Sequence, residues 1–191
     1  QPAFVNTEIT EIISFKEDFQ MKKQEKNGKI CYNNEKLNVT GVQKMIILAM
    51  AIYCEAKPLI EKYRLKKDES YMPFTVFANE EKEILLIITG TGNAAAASSV
   101  AGVCAKLDLK ADKNFLVNIG TCASASASDE IYICSKITDE SSERTFYPDM
   151  IYKNPFKEAE IITSAVLFEN KNDKNPQNTS DTVLYDMEAA F

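Results

Sequence analysis

Residues 84–107 read ILLIITGTGNAAAASSVAGVCAKL, and the order of residue types in this stretch decides the fold. An apolar run from Ile84 ends in the glycine loop Gly90-Thr91-Gly92-Asn93. The alanine and serine residues that follow suit a helix lying close against a sheet, because small side chains let the two backbones approach. The stretch therefore predicts a strand, a glycine turn and a helix. Immediately upstream, FTVFA (74–78), the turn NEEK and EILLIIT (83–89) predict a hairpin. Further back, MIILAMAI (45–52) is a continuous apolar run of the kind buried on both faces of a parallel sheet. CEAKPLIEKYRL (54–65) then places Leu59, Ile60 and Tyr63 at helical spacing, with Pro58 expected in the first turn, where proline is tolerated.

Downstream, FLVN (115–118) leads into a second small-residue loop, Gly120-Thr121-Cys122, and IYICSKI (131–137) predicts another strand. After a polar connection through Pro148 come strands at EIITSAVLF (160–168) and TVLY (182–185), and DMEAAF (186–191) reads as the start of a helix. Strands alternating with helices predict a three-layer αβα fold with a mostly parallel, twisted central sheet over residues 45–191. Residues 1–44 are rich in Lys, Glu, Asn and Gln and are expected to form a polar appendage, with 22–36 as a solvated linker. No internal repeat is visible.

Composition narrows the chemistry. Among 191 residues, 45% hydrophobic and 26% charged, there is no histidine. Imidazole metal sites and Ser-His or Cys-His nucleophiles are thus excluded within this chain, and acid-base work falls to carboxylates, lysine or tyrosine. The five cysteines are scattered singly, never as CxxC, and read as reduced structural thiols. A net charge of −6 with dispersed lysines argues against nucleic acid as a partner. The absence of a long apolar run and of a signal-like start leads us to expect a soluble, cytoplasmic chain.

Both glycine loops follow apolar strands, at the carboxyl ends where ligands gather in open α/β sheets. Either alone is an ordinary tight turn, and GTGN is neither a Walker A loop nor GxGxxG. Glu55 follows the first strand and Glu188 follows the TVLY strand. Singly, each reads as a surface acid at a helix N-terminus. As a pair facing one pocket they suit sugar chemistry, in which one carboxylate orients a water and another holds ribose hydroxyls.

Met45 to Glu55, TGTGNAAAA, NIGTCAS, SDEIYI and YDMEAA resemble, in that order, the signature segments of the nucleoside phosphorylase superfamily, and among its branches the 5′-methylthioadenosine/S-adenosylhomocysteine nucleosidases in motif form. YDMEAAF is the most specific part. The resemblance implies a purine nucleoside substrate, water as nucleophile, no metal or organic cofactor, and a homodimer or larger homo-oligomer. It implies Glu55 as the catalytic carboxylate that positions water, and Met187 and Glu188 as ribose contacts. Thr121 would lie near the sugar, with Gly90, Thr91, Gly92 and Gly120 around the substrate and Phe168 beside the purine. Where the phosphorylase branch has a phosphate-binding arginine, this chain has Asn118, which favours hydrolysis over phosphorolysis. The family's Ser-Asp proton donor, one strand beyond the MEA segment, has no counterpart in these residues, so the domain is expected to be incomplete at its C-terminal end. Three readings stand: a nucleosidase, a non-catalytic nucleoside-binding protein on the same scaffold, and a phosphate-dependent phosphorylase.

Overall fold

β3 (Met45–Met50) is hydrogen-bonded on both sides, parallel to β6 (Ile84–Ile88) and parallel to β7 (Asn114–Asn118). Its residues Ile47 to Met50 are 2% exposed or less, which accounts for an apolar run with no alternation. The computed structural model describes residues 23–26, 29–32, 45–107, 114–124, 130–150, 155–166 and 183–191. The chain divides into two units, Gln1–Val42 and Gln43–Phe191.

In the first unit, β1 (Lys23–Lys26) pairs antiparallel with β2 (Lys29–Tyr32). This corrects the linker expected over 22–36. β1 has no apolar residue to mark it as a strand, but Asn27-Gly28, between the two strands in the sequence, is the strongest short-range hairpin signal.

The second unit carries two five-stranded sheets. The first has the order β4-β5-β6-β3-β7, with β4 (Lys66–Lys67) and β5 (Thr75–Ala78) running antiparallel at one edge. Asn79 closes the β5–β6 hairpin by accepting the Glu83 and Ile84 amides at 2.9 Å each. The second sheet has the order β10-β9-β11-β12-β8. Its strands are β8 (Ala123–Ser124), β9 (Tyr132–Asp139), β10 (Arg144–Phe146), β11 (Lys157–Thr163) and β12 (Val183–Asp186). Among the described residues parallel and antiparallel pairings are equal, four of each, so the expected mostly parallel sheet is replaced by two mixed ones. Short connections such as β9–β10 can only return a strand antiparallel. Two α-helices occur among the described residues, α1 (Tyr53–Lys62) and α2 (Asn93–Cys104), and none is long and apolar enough to cross a membrane.

Two local expectations also change. Pro58 lies in the second turn of α1, which begins at Tyr53, one residue before the expected start. β11 ends at Thr163: Ser164 makes one more ladder bond, its amide donating to Asp186 O at 2.9 Å, and the chain then bends at Ala165–Val166, where the Val166 amide donates to the Ser164 hydroxyl at 3.3 Å. Asp186 ends β12 and Met187–Ala190 bend and turn beyond it, the Ala189 amide donating to Asp186 Oδ2 at 2.7 Å, which is the contact an N-cap aspartate makes at a helix start.

α2 is tacked to the end of β6 by Ser99, whose hydroxyl donates to Thr89 O at 2.9 Å. On the helix, Gly102 makes room for the Phe74 ring, which packs with Val100 and Val103 in the core of the first sheet. A Cβ at Gly102 would lie 2.5 Å from Phe74 Cε2 and closer still to Cζ. Alanine in a helix interior gains ~1 kcal/mol over glycine, whereas forcing a methyl into a packed site costs ~1–3 kcal/mol. Overpacking should win. Gly102→Ala is expected to lower stability by up to ~2 kcal/mol in urea unfolding, and less when combined with Phe74→Leu than the two single losses added together. Unchanged stability of Gly102→Ala would contradict the packing argument.

Candidate active site

Because β3, β6 and β7 are parallel, their carboxyl ends lie at one edge of the first sheet, and the loops that follow them meet there. The main chain holds these loops in register. Thr89 N donates to Met50 O and Ile119 N to Ala49 O, each at 2.9 Å, while Gly90 N donates to Ala51 O at 3.0 Å. After Gly120 the chain leaves the first sheet and enters the second as β8, which pairs with β12. That crossing brings the end of β12 to the same place.

A cavity of about 360 Å³ opens where these segments meet. Of the residues expected in the site, Glu55, Thr91, Thr121, Met187 and Glu188 line it. Gly90, Gly92 and Gly120 belong to the same loops but do not line it. Phe168 and its neighbour Leu167 lie outside the described residues. The sequence reading missed Ile52, Cys122, Val166, Tyr185 and Asp186, all of which line the cavity. Asp186 was within reach, since it adjoins the motif pair Met187-Glu188.

Glu55 is 8% exposed, which removes the reading of a surface acid. Its Oε1 accepts from the Thr121 amide at 3.0 Å and the Thr121 hydroxyl at 2.6 Å. Its Oε2 is buried without a hydrogen-bond partner among the described residues. A buried acceptor left unsatisfied costs ~1–3 kcal/mol, more when charged, so this oxygen marks a place for a proton donor. Glu188 sits on the far side of the same loops, with Oε1 accepting from the Gly92 amide at 2.8 Å.

Asp186 differs from both glutamates. Its Oδ1 accepts from the Thr163 hydroxyl and its Oδ2 from the Ala189 amide, each at 2.7 Å. Burial pushes its carboxyl above the ordinary aspartate range, against the pull of those hydrogen bonds and of the Glu188 amide. With both oxygens engaged as acceptors, Asp186 fixes the turn that carries Met187 and Glu188.

Burial raises Cys122, with the Asp186 charge adding to it, and raises Cys134 to about 11, so both are protonated at neutral pH. No lysine or arginine lines the cavity among the described residues. Nor do those residues hold a cluster of three or more metal-ligating side chains.

No protein-family model matches the chain, and no curated protein sequence does. Solved structures do. A 5′-methylthioadenosine/S-adenosylhomocysteine nucleosidase from S. pneumoniae, bound to a transition-state inhibitor, aligns at TM-score 0.60 and 17% identity, over 76% of each chain. The nucleosidase from Colwellia psychrerythraea, in complex with adenine, aligns at TM-score 0.61 and 18% identity, over 78% of this chain and 74% of that one. An apo 5′-methylthioadenosine nucleosidase from Arabidopsis thaliana aligns at TM-score 0.59 and 16% identity, over 78% and 74%. These enzymes are members of the nucleoside phosphorylase superfamily, and the likeness shows that the chain shares their α/β fold.

The environment of Asp186 generates a pH prediction. A carboxyl raised by burial contributes stability that is fully present below its unfolded-state value and is lost as pH rises through its folded value. The stability of the natural chain minus that of Asp186→Asn should therefore fall as pH is raised from the aspartate range toward neutrality. Urea unfolding over a pH series reads this difference, and growth with pH would contradict the burial argument.

Proposed function

We propose that the Gln43–Phe191 unit hydrolyses the N-glycosidic bond of a purine nucleoside of the methylthioadenosine/S-adenosylhomocysteine kind. The observation that carries this reading is the buried, unpartnered Oε2 of Glu55, in a cavity that Glu188 also lines. In the proposed reaction a water donates a hydrogen bond to Glu55 Oε2 and its oxygen attacks the anomeric carbon. As the new C–O bond forms, the C–N bond breaks with its electron pair going to the purine nitrogen, and the water proton passes to Glu55. Positive charge builds on the sugar between the two carboxylates, where their negative charge stabilises it. Glu188 accepts from the ribose hydroxyls.

Water fits this site better than phosphate does. The amides of Thr121 and Gly92, which could otherwise cradle an anion, already donate to carboxylates. Asn118, at the place of a phosphate-binding arginine, offers no charge. The fold shared with nucleosidases supports the same reaction class.

A second reading, a nucleoside-binding protein without turnover, is favoured by the state of Asp186. It is the third carboxyl among the described lining residues, and both its oxygens already accept hydrogen bonds, so it is poorly set to protonate a departing base.

Adenine release from methylthioadenosine, measured with and without phosphate and beside calorimetric binding, separates the readings. Hydrolysis predicts phosphate-independent release that falls ~10²–10⁴-fold in Glu55→Gln, the usual contribution of general-base assistance. Glu188→Gln should weaken nucleoside binding by ~1.5–3 kcal/mol, the range for a hydrogen bond to a charged group. Binding without release would select the second reading, and release that requires phosphate would overturn hydrolysis.

A further inference from the structure

The Gly92 amide reaches Glu188 across 96 residues of sequence, and two features of Gly92 indicate what that contact is for. The first is its backbone. Gly92 precedes α2 at φ 93° and ψ 151°, a conformation essentially confined to glycine. The second is the space around it. A Cβ there would meet nothing within 4 Å, so glycine is required by the torsion angles and not by a close neighbour. Gly90 is different, since a Cβ there would come 3.3 Å from Ala95 Cβ.

The unusual torsion turns the Gly92 N–H toward the second sheet, where it meets Glu188 Oε1. No side chain of its own caps the start of α2. Glu188 therefore brings its carboxylate to the positive end of that helix. Glu55 is held in the same manner, with one oxygen committed to the Thr121 loop and the other left over. Each glycine loop thus fixes one carboxylate of the cavity.

We propose that Gly92 is a positioning residue: its N–H holds Glu188 Oε1 so that the remaining oxygen is aimed at the ribose hydroxyls, and Gly92 itself does not touch the ligand. This role rests on the nucleoside reading given above. The contact itself does not.

In Gly92→Ala the alanine must leave the glycine-only region, rotating the preceding peptide and taking the N–H away from Glu188. No atom lies within 4 Å of the added methyl, so the cost of the substitution is local torsional strain and not a clash. A nucleoside should then bind roughly 10- to 100-fold more weakly, the span for losing a hydrogen bond to a charged group. Its 2′,3′-dideoxy counterpart and free adenine should bind unchanged. That selectivity is what a merely structural role would not produce. Combining Gly92→Ala with Glu188→Gln should be no worse than Glu188→Gln alone, because both remove one contact.

The experiment measures these affinities by calorimetry and follows the Gly92 amide resonance of the folded, full-length chain by NMR. Glu188→Gln should move that resonance upfield, which reads the contact even if Gly92→Ala folds poorly. A resonance that does not move, or equal losses for ribose and dideoxyribose ligands, would overturn the proposal. A resonance that moves while the natural chain binds no nucleoside overturns the nucleoside reading, and with it the ribose role of Gly92, while leaving the contact in place.

Discussion

Parallel pairing of β3 with β6 on one side and β7 on the other is the constraint from which the site follows. Parallel strands share a direction, so three carboxyl ends must lie at one edge, and each releases its loop into the same region. Burial enforces the arrangement. Ile47, Leu48, Leu85, Leu86 and Ile87 are almost wholly excluded from solvent, and a slip of one residue would break ladder bonds on both sides of β3 at once. The loops then need little further guidance, since Thr89, Gly90 and Ile119 continue the ladder for one or two bonds beyond the strands.

On that frame the two glutamates acquire different neighbours from the same kind of donor. Glu55 enters from the first turn of α1 and is held by Thr121, while Glu188 enters from the second sheet and is held by Gly92. A carboxylate with one oxygen fixed by a backbone amide has few orientations left for the other. This limits the entropy lost when a ligand binds. Asp186 extends the chain of support by one residue: by tying Thr163 to Ala189 it sets the turn that presents Met187 and Glu188. The second sheet therefore acts on the site through β12, even though its core, built around Ala159, Ile161 and Leu184, is smaller than that of the first.

Some failures of sequence reading have a common cause. Whether a sheet is parallel depends on which strands become neighbours, and β11 lies between β9 and β12, a choice made by residues far apart in sequence. The pairing of 23–26 with 29–32 was missed although the Asn27-Gly28 pair between them in the sequence was legible.

By itself the sequence determined the strand, glycine turn and helix at 84–107, a strand within the apolar run at 45–52, the lack of imidazole chemistry, and the order of segments that resembles nucleoside-cleaving enzymes. These rest on local periodicity, local backbone freedom and residue type, all of which are present in the chain before it folds. Only the tertiary structure decided that Glu55 is buried with one oxygen free, that Gly92 and Thr121 each hold a carboxylate, and that Asp186 braces the turn between them. Such facts depend on distances between residues separated by 66 and 96 positions for Glu55 with Thr121 and Gly92 with Glu188. Those distances come into being when two sheets close around one cavity, because hydrogen bonding and burial are properties of the assembled neighbourhood and not of the residue that shows them.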